Sequence, residues 1–304
     1  MTIHARGIVS VVEVIVYIPA LIAAIIVCSR HGFSRSSGWI YTIILCLVRV
    51  IGSVCQLLTY SNHSSGLLQA TIIIDSIGIS PLLLATLGML SRFVDWINAR
   101  GNSSFTVKQF RLVQLLITLG LILSIAGGTS GSTSSSGVPK IATTSKVGIV
   151  LYIVAYVAMT FALFVSFGSR SSVPTQEARV PVVMGLALPF ILVRLVYSAV
   201  CVFLPSHTFS IIDGSVPVFV CMAVLEEFVV VAMYLVLGFN LSKMDPSEQG
   251  ELVSRPWKES RNRNRNRGQS QGREEQRQEL APQQQQRQHH HHHHHHSHGS
   301  NNAV

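Results

Sequence analysis

Residues 8–28 read IVSVVEVIVYIPALIAAIIVC, an apolar run broken only by Ser10, one carboxylate, Glu13, and one proline, Pro19. A helix rises about 1.5 Å per residue, so a run of this length crosses a hydrocarbon core about 30 Å thick. Six more runs of 17 to 24 residues follow at 38–59, 67–90, 112–128, 147–167, 180–203 and 216–239. Together they predict an all-α fold, a polytopic seven-transmembrane-helix bundle within residues 1–242. The first run has no basic leader and no small-residue cleavage pattern, so it is expected to stay in the mature chain.

Composition agrees with a lipid solvent. Of 304 residues, 48% are hydrophobic and 12% charged, against about 25% charged in an ordinary soluble domain. All five cysteines, Cys28, Cys46, Cys55, Cys201 and Cys221, fall inside the apolar runs, which implies no disulfide framework.

The net charge of +9 follows topology and does not indicate nucleic-acid binding. Arg30, Arg35, Arg92, Arg100, Lys108, Arg111, Arg170 and Arg179 occupy alternate connections together with the basic tail, and the other side holds only Arg6, Lys140 and Lys146. Cytoplasmic connections retain Lys and Arg, so the N-terminus is expected outside and the C-terminus inside. On that topology Asn62-His63-Ser64 is an outward-facing glycosylation sequon, and the Asn102 and Asn240 sequons stay bare. Residues 91–100, with Phe93 and Trp96 among charges, are expected to lie along the inner interface.

From 243 to 304 the chain is polar, with Arg-Asn alternation at 261–267, glutamines, and a histidine run at 289–296. This basic, Gln-rich and His-rich tail is expected to be disordered and cytoplasmic, available to anionic lipid or to a cytoplasmic protein. The histidine run reads as a tag or low-complexity sequence and is set aside from function.

Six ionisable side chains sit within the runs: Glu13, Arg49, Asp75, Arg194, Glu226 and Glu227. Each costs roughly 2.5 to 3.5 kcal/mol at mid-membrane, so such groups face one another or water. Counted from the outer ends, Arg49, Asp75, Arg194 and Glu226 lie at roughly 12 to 17 Å, one shared level. The helix order predicts two ion pairs, Arg49 with Asp75 and Arg194 with Glu226, and leaves Glu13 and Glu227 without an arginine. Such a layer serves either as structural pairing or as a functional polar cavity. Pro19, Pro81 and Pro189, each five or six residues from one of these charges, are candidate kinks.

A weak repeat joins the two halves. Ser34-Arg35-Ser36-Ser37 precedes the helix with Leu47-Val48-Arg49 and Ser53, and Ser169-Arg170-Ser171-Ser172 precedes the helix with Leu192-Val193-Arg194 and Ser198. Helices one to three and five to seven would then be parallel repeats linked by the fourth.

Several chemistries lack their residues. No histidine lies within a run, which argues against a membrane zinc hydrolase, and the seventh run has no lysine for a retinal Schiff base. No nucleophile elbow or phosphate-cradling glycine loop occurs in context. The sequence therefore predicts no enzyme, metal or cofactor.

The segment 31–39, HGFSRSSGW, leading into Leu47-Val48-Arg49-Val50-Ile51-Gly52, resembles an uncharacterised fungal family of integral membrane proteins. Asp75-Ser76-Ile77-Gly78-Ile79-Ser80-Pro81, Leu188-Pro189-Phe190 with Val193-Arg194, and Glu226-Glu227-Phe228 are similar to its later helices. The resemblance implies a seven-helix domain of unknown function and supplies no ligand residues. Orientation and the long tail point first to a receptor-like sensor of unknown ligand. A small-solute, lipid or proton-coupled transporter and a non-catalytic scaffold are the alternatives, in a plasma membrane or endomembrane.

Overall fold

A peptide group in hydrocarbon has no water to pair with, so each apolar run closes its own backbone hydrogen-bond ladder. The computed structural model describes residues 5–31, 37–61, 65–99, 105–129, 143–168, 177–204 and 215–241. Asn62 and the tail 243–304 lie outside them.

The helices are α1 (Ala5–His31), α2 (Ser37–Thr59), α3 (Ser65–Ile77), α4 (Ile79–Ala99), α5 (Val107–Thr129), α6 (Thr143–Phe167), α7 (Val180–Phe203), α8 (Val216–Phe219) and α9 (Leu225–Asn240). A 3₁₀ turn, Glu177–Arg179, leads into α7, and a π turn, Val220–Val224, joins α8 to α9. No strand occurs among the described residues. Seven segments are long and apolar enough to cross a membrane: Arg6–His31, Gly38–Thr59, Gln69–Asn98, Val107–Thr129, Thr143–Phe167, Glu177–Phe203 and Val216–Asn240.

The third segment is not one continuous helix, because α3 and α4 meet at Gly78. Pro81 explains the break. It has no N–H to give the carbonyl of Ile77 one turn back, and Ser80 Oγ donates to that carbonyl instead, at 3.2 Å. Helices α1 and α7 run through Pro19 and Pro189 without interruption. Of the three candidate kinks, only Pro81 coincides with a break.

Large apolar side chains cover the outside. Ile15 on α1 and Phe164 on α6 are 65% and 82% exposed, and Ile22, Leu119, Phe161, Leu186 and Val236 are exposed as well. A contiguous apolar surface of this kind suits acyl chains, not water. The interior is centred on α4, where Leu82, Leu83, Leu90 and Phe93 are fully buried. This corrects one expectation. Residues 91–99 do not lie along a surface but continue α4 within the bundle, with Phe93, Val94, Trp96 and Ile97 all buried.

Helices with no hydrophobic drive between them associate through close backbone approach, which requires small residues. Between α5 and α6 these are Gly120, Ser124 and Gly148, all buried. A Cβ on Gly148 would stand 2.9 Å from the carbonyl oxygen of Gly120, and one on Gly120 would stand 2.8 Å from Tyr152 Cε1. Gly238 likewise lets α9 rest on the Trp39 ring of α2, 2.8 Å from where its Cβ would be.

Replacing Gly148 with leucine should push α5 from α6 and cost about 1–3 kcal/mol. The expected outcome is a lower unfolding midpoint in detergent, whereas Gly185→Leu, where a Cβ meets nothing within 4 Å, should leave the midpoint nearly unchanged.

Candidate functional site: a buried charge cluster

The site begins with Arg49, ten residues before the end of α2 and 4% exposed. A guanidinium presents five N–H donors in a planar fork, and in hydrocarbon each needs an acceptor. Nε donates to Glu227 Oε1 at 2.6 Å, and Nη2 donates to Glu227 Oε2, so the two groups meet fork to fork. Nη1 reaches Asp75 Oδ1 at 3.5 Å and stands 3.8 Å from Glu13 Oε1. One arginine thus gathers carboxylates from α1, α3 and α9.

Arg194 of α7 enters the same cluster. Its Nε donates to Glu227 Oε2 at 3.5 Å, its Nη1 to Ser198 Oγ at 2.7 Å, and its Nη2 to the backbone carbonyl of Asp75 at 3.0 Å. That carbonyl belongs to the last turn of α3, where peptide oxygens lose their helical partners. The break in the third segment therefore supplies an acceptor to the second arginine. Gly78 sits against the pair itself, since its Cβ would lie 3.1 Å from Arg49 Nη2 and 3.4 Å from Glu227 Oε2.

The structure corrects the expected pairing. Arg49 does approach Asp75, but its bidentate partner is Glu227, and Arg194 also turns to Glu227 and not to Glu226. Glu227 is fully buried, while Glu226 is only half-buried and its Oε2 has no hydrogen-bond partner. The π turn at Val220–Val224 accounts for the exchange. Its wider turn takes one extra residue and rotates the following helix by about 100° relative to the residues before it. Glu227 thereby stands where an unbroken helix would have put Glu226.

Glu13 is 7% exposed. Its Oε2 accepts a hydrogen bond from Ser53 Oγ at 2.7 Å, and its Oε1 has no partner within hydrogen-bond distance. Tyr17, one turn further along α1, is 1% exposed, packs edge-on to Phe228, and its hydroxyl is also without a partner. Asp75 differs, with its side chain 32% exposed. The cluster is therefore closed at Arg49, Arg194, Glu13 and Glu227, and Asp75 is its least enclosed member.

A second ion pair was not legible in the sequence. Arg92 near the end of α4 meets Glu177 before α7 through both guanidinium nitrogens, with Nε to Oε2 at 3.2 Å and Nη2 to Oε1 at 2.5 Å. Glu177 lies outside the expected runs, where a single acidic residue carries no signal. Tyr17 could have been found from its i+4 spacing to Glu13. All five cysteines are free.

A chain whose described residues form seven membrane-length apolar segments, with arginines buried among its own carboxylates, is a multi-pass integral membrane protein. It belongs to the family described as domain of unknown function DUF7702, whose model matches residues 3–244 and so takes in every helix and every member of the cluster. No curated protein and no solved structure matches the chain.

Glu227→Gln leaves two guanidiniums short of a buried anion, a loss that costs about 3–5 kcal/mol when a buried pair is broken. A large drop in detergent stability or in folded yield is expected, and Glu226→Gln should have little effect. Equal sensitivity of the two positions would contradict the rotation assigned to the π turn.

Proposed function

We propose that this chain is a small-solute transporter coupled to protons, a seven-helix bundle with its N-terminus outside, its C-terminus inside and the charge cluster as its midplane binding layer. The observation that carries this reading is the interruption of the third and seventh segments beside the cluster, at Gly78 and at the π turn. Interrupted helices at matching places in two halves of a chain mark the ion and solute sites of many transporters. The two halves correspond in further ways. Arg49 and Arg194 occupy the second helix of each half, each with a serine four residues on, and both converge on Glu227. This supports the parallel repeat that the sequence suggested.

The positions of exposure favour the same reading. Asp75 on α3 is the least enclosed member of the cluster, and the α4 half of that segment is buried from Ile79 to Ile97. Toward the far end of α4, the Arg92–Glu177 pair ties α4 to the turn before α7. In an alternating-access cycle this pair would be the closed gate and would open as the cluster changes its charge state.

Sensing is the second reading, and the same Arg92–Glu177 pair supports it by linking α4 to the turn before α7 on the side proposed as cytoplasmic, where the tail 243–304 would contact anionic lipid or a protein partner. Neither reading involves catalysis, a cofactor or nucleic acid. A fungal origin, implied by the resemblance, is part of the proposal.

A substrate-independent test is thiol accessibility. Ile74→Cys and Ile77→Cys, in a background without native cysteines, are treated with a membrane-impermeant reagent from each side of sealed vesicles. Transport predicts labelling from both sides, and labelling from one side only would favour a sensor.

A further inference from the structure

The cluster holds two guanidiniums, on Arg49 and Arg194, and three carboxyl groups, on Glu13, Asp75 and Glu227. With every group ionised these five carry one net negative charge, and a third guanidinium, on Arg6 of α1, acts on Asp75. Around Glu13 itself the carboxylates outnumber the cations, and a buried charge in such surroundings needs a counter-charge. Each carboxyl turns toward a guanidinium and not toward a common point, and no group of three or more His, Cys, Asp or Glu among the described residues is placed to hold a metal ion. A proton is the counter-charge that fits.

The three carboxyl groups differ in what their oxygens meet. Glu227 receives Arg49 through both oxygens and Arg194 through Oε2, so two guanidiniums hold its negative charge in place. Asp75 faces Arg49 at 3.5 Å, and the charges of Arg194 and Arg6 act on it as well. Glu13 is buried, its nearest guanidinium nitrogen is 3.8 Å away, and one of its oxygens meets no donor. The groups around it are Tyr17 on its own helix, Arg49 and Ser53 on α2, Asp75 on α3 and Glu227 on α9. Two of these are anions and only one is a cation.

We infer that Glu13 is the proton-binding site of the cluster, with the proton on Oε1, Ser53 donating to Oε2, and the unpartnered Tyr17 hydroxyl one turn along the same helix face. Gain or loss of this proton changes the cluster by one unit of charge without breaking the Arg49–Glu227 pair. Release leaves a carboxylate 3.8 Å from Arg49 Nη1, free to draw that nitrogen from Asp75. The inference rests on the proton-coupled reading only for its biological use, since the charge count holds for any function.

Infrared spectra of the full chain in lipid nanodiscs at neutral pH, wild type minus Glu13→Gln, report the state of this one side chain. Loss of a protonated-carboxyl C=O band that shifts in D₂O is expected. Loss of carboxylate stretches instead would overturn the inference. Ser53→Ala keeps the test open if Glu13→Gln does not fold, because removing the hydrogen bond to Oε2 should shift the same C=O band upward, and an unmoved band would overturn the inference. Proton flux in sealed vesicles is a separate readout. No flux with the carboxyl band present counts against transport alone, and flux with the carboxylate result counts against Glu13 alone.

Discussion

A guanidinium that cannot lose its charge, set halfway along a helix that crosses lipid, is the constraint around which this protein is arranged. Arg49 needs acceptors on several sides, and no single helix provides them. Glu227 comes from the last segment, Asp75 from the third, and Glu13 stands close by on the first. Each of these contacts fixes the rotation of the helix that bears it, so one side chain sets the register of four segments. Arg194 then locks a fifth by taking both Glu227 and a backbone carbonyl of Asp75.

The irregular backbone follows from the same demand. A continuous third helix would place a side chain and a closed peptide ladder where the Arg49–Glu227 pair now lies, and Gly78 removes the side chain while Pro81 opens the ladder. The freed end of α3 offers its carbonyl to Arg194. A regular seventh helix would present Glu226, which the π turn replaces with Glu227. Elsewhere, away from the charges, the helices are regular and meet through Gly120, Gly148 and Gly238, and large apolar residues are left to lipid. Irregularity is concentrated where the charge is.

The features set by length and transfer energy were legible in the sequence. Seven membrane-length runs and the rarity of charge within them pointed to the segments and to Glu13, Arg49, Asp75, Arg194, Glu226 and Glu227 as interior groups, of which Glu226 stands outside the cluster. Partner choice was not legible, because it depends on helix rotation, and a one-residue π insertion leaves no mark in hydropathy. Glu226 and Glu227 are adjacent and chemically alike, so only the backbone distinguishes them. The break at Gly78 was half legible, through Pro81. The course of residues 91–99 inside the bundle was misread because Arg92 and Asp95 looked like interfacial charges, whereas Arg92 is neutralised by Glu177 from a distant connection.

The central claim is that Arg49 and Glu227 bind each other directly inside the membrane domain. A double-mutant cycle with Arg49→Met and Glu227→Met, read as unfolding free energy in detergent or bicelles, measures that link directly. The account predicts a coupling energy of about 1–3 kcal/mol, with the double variant more stable than the sum of the single losses implies. Strictly additive losses would mean that the two side chains do not meet, and the arrangement of helices described here would be wrong.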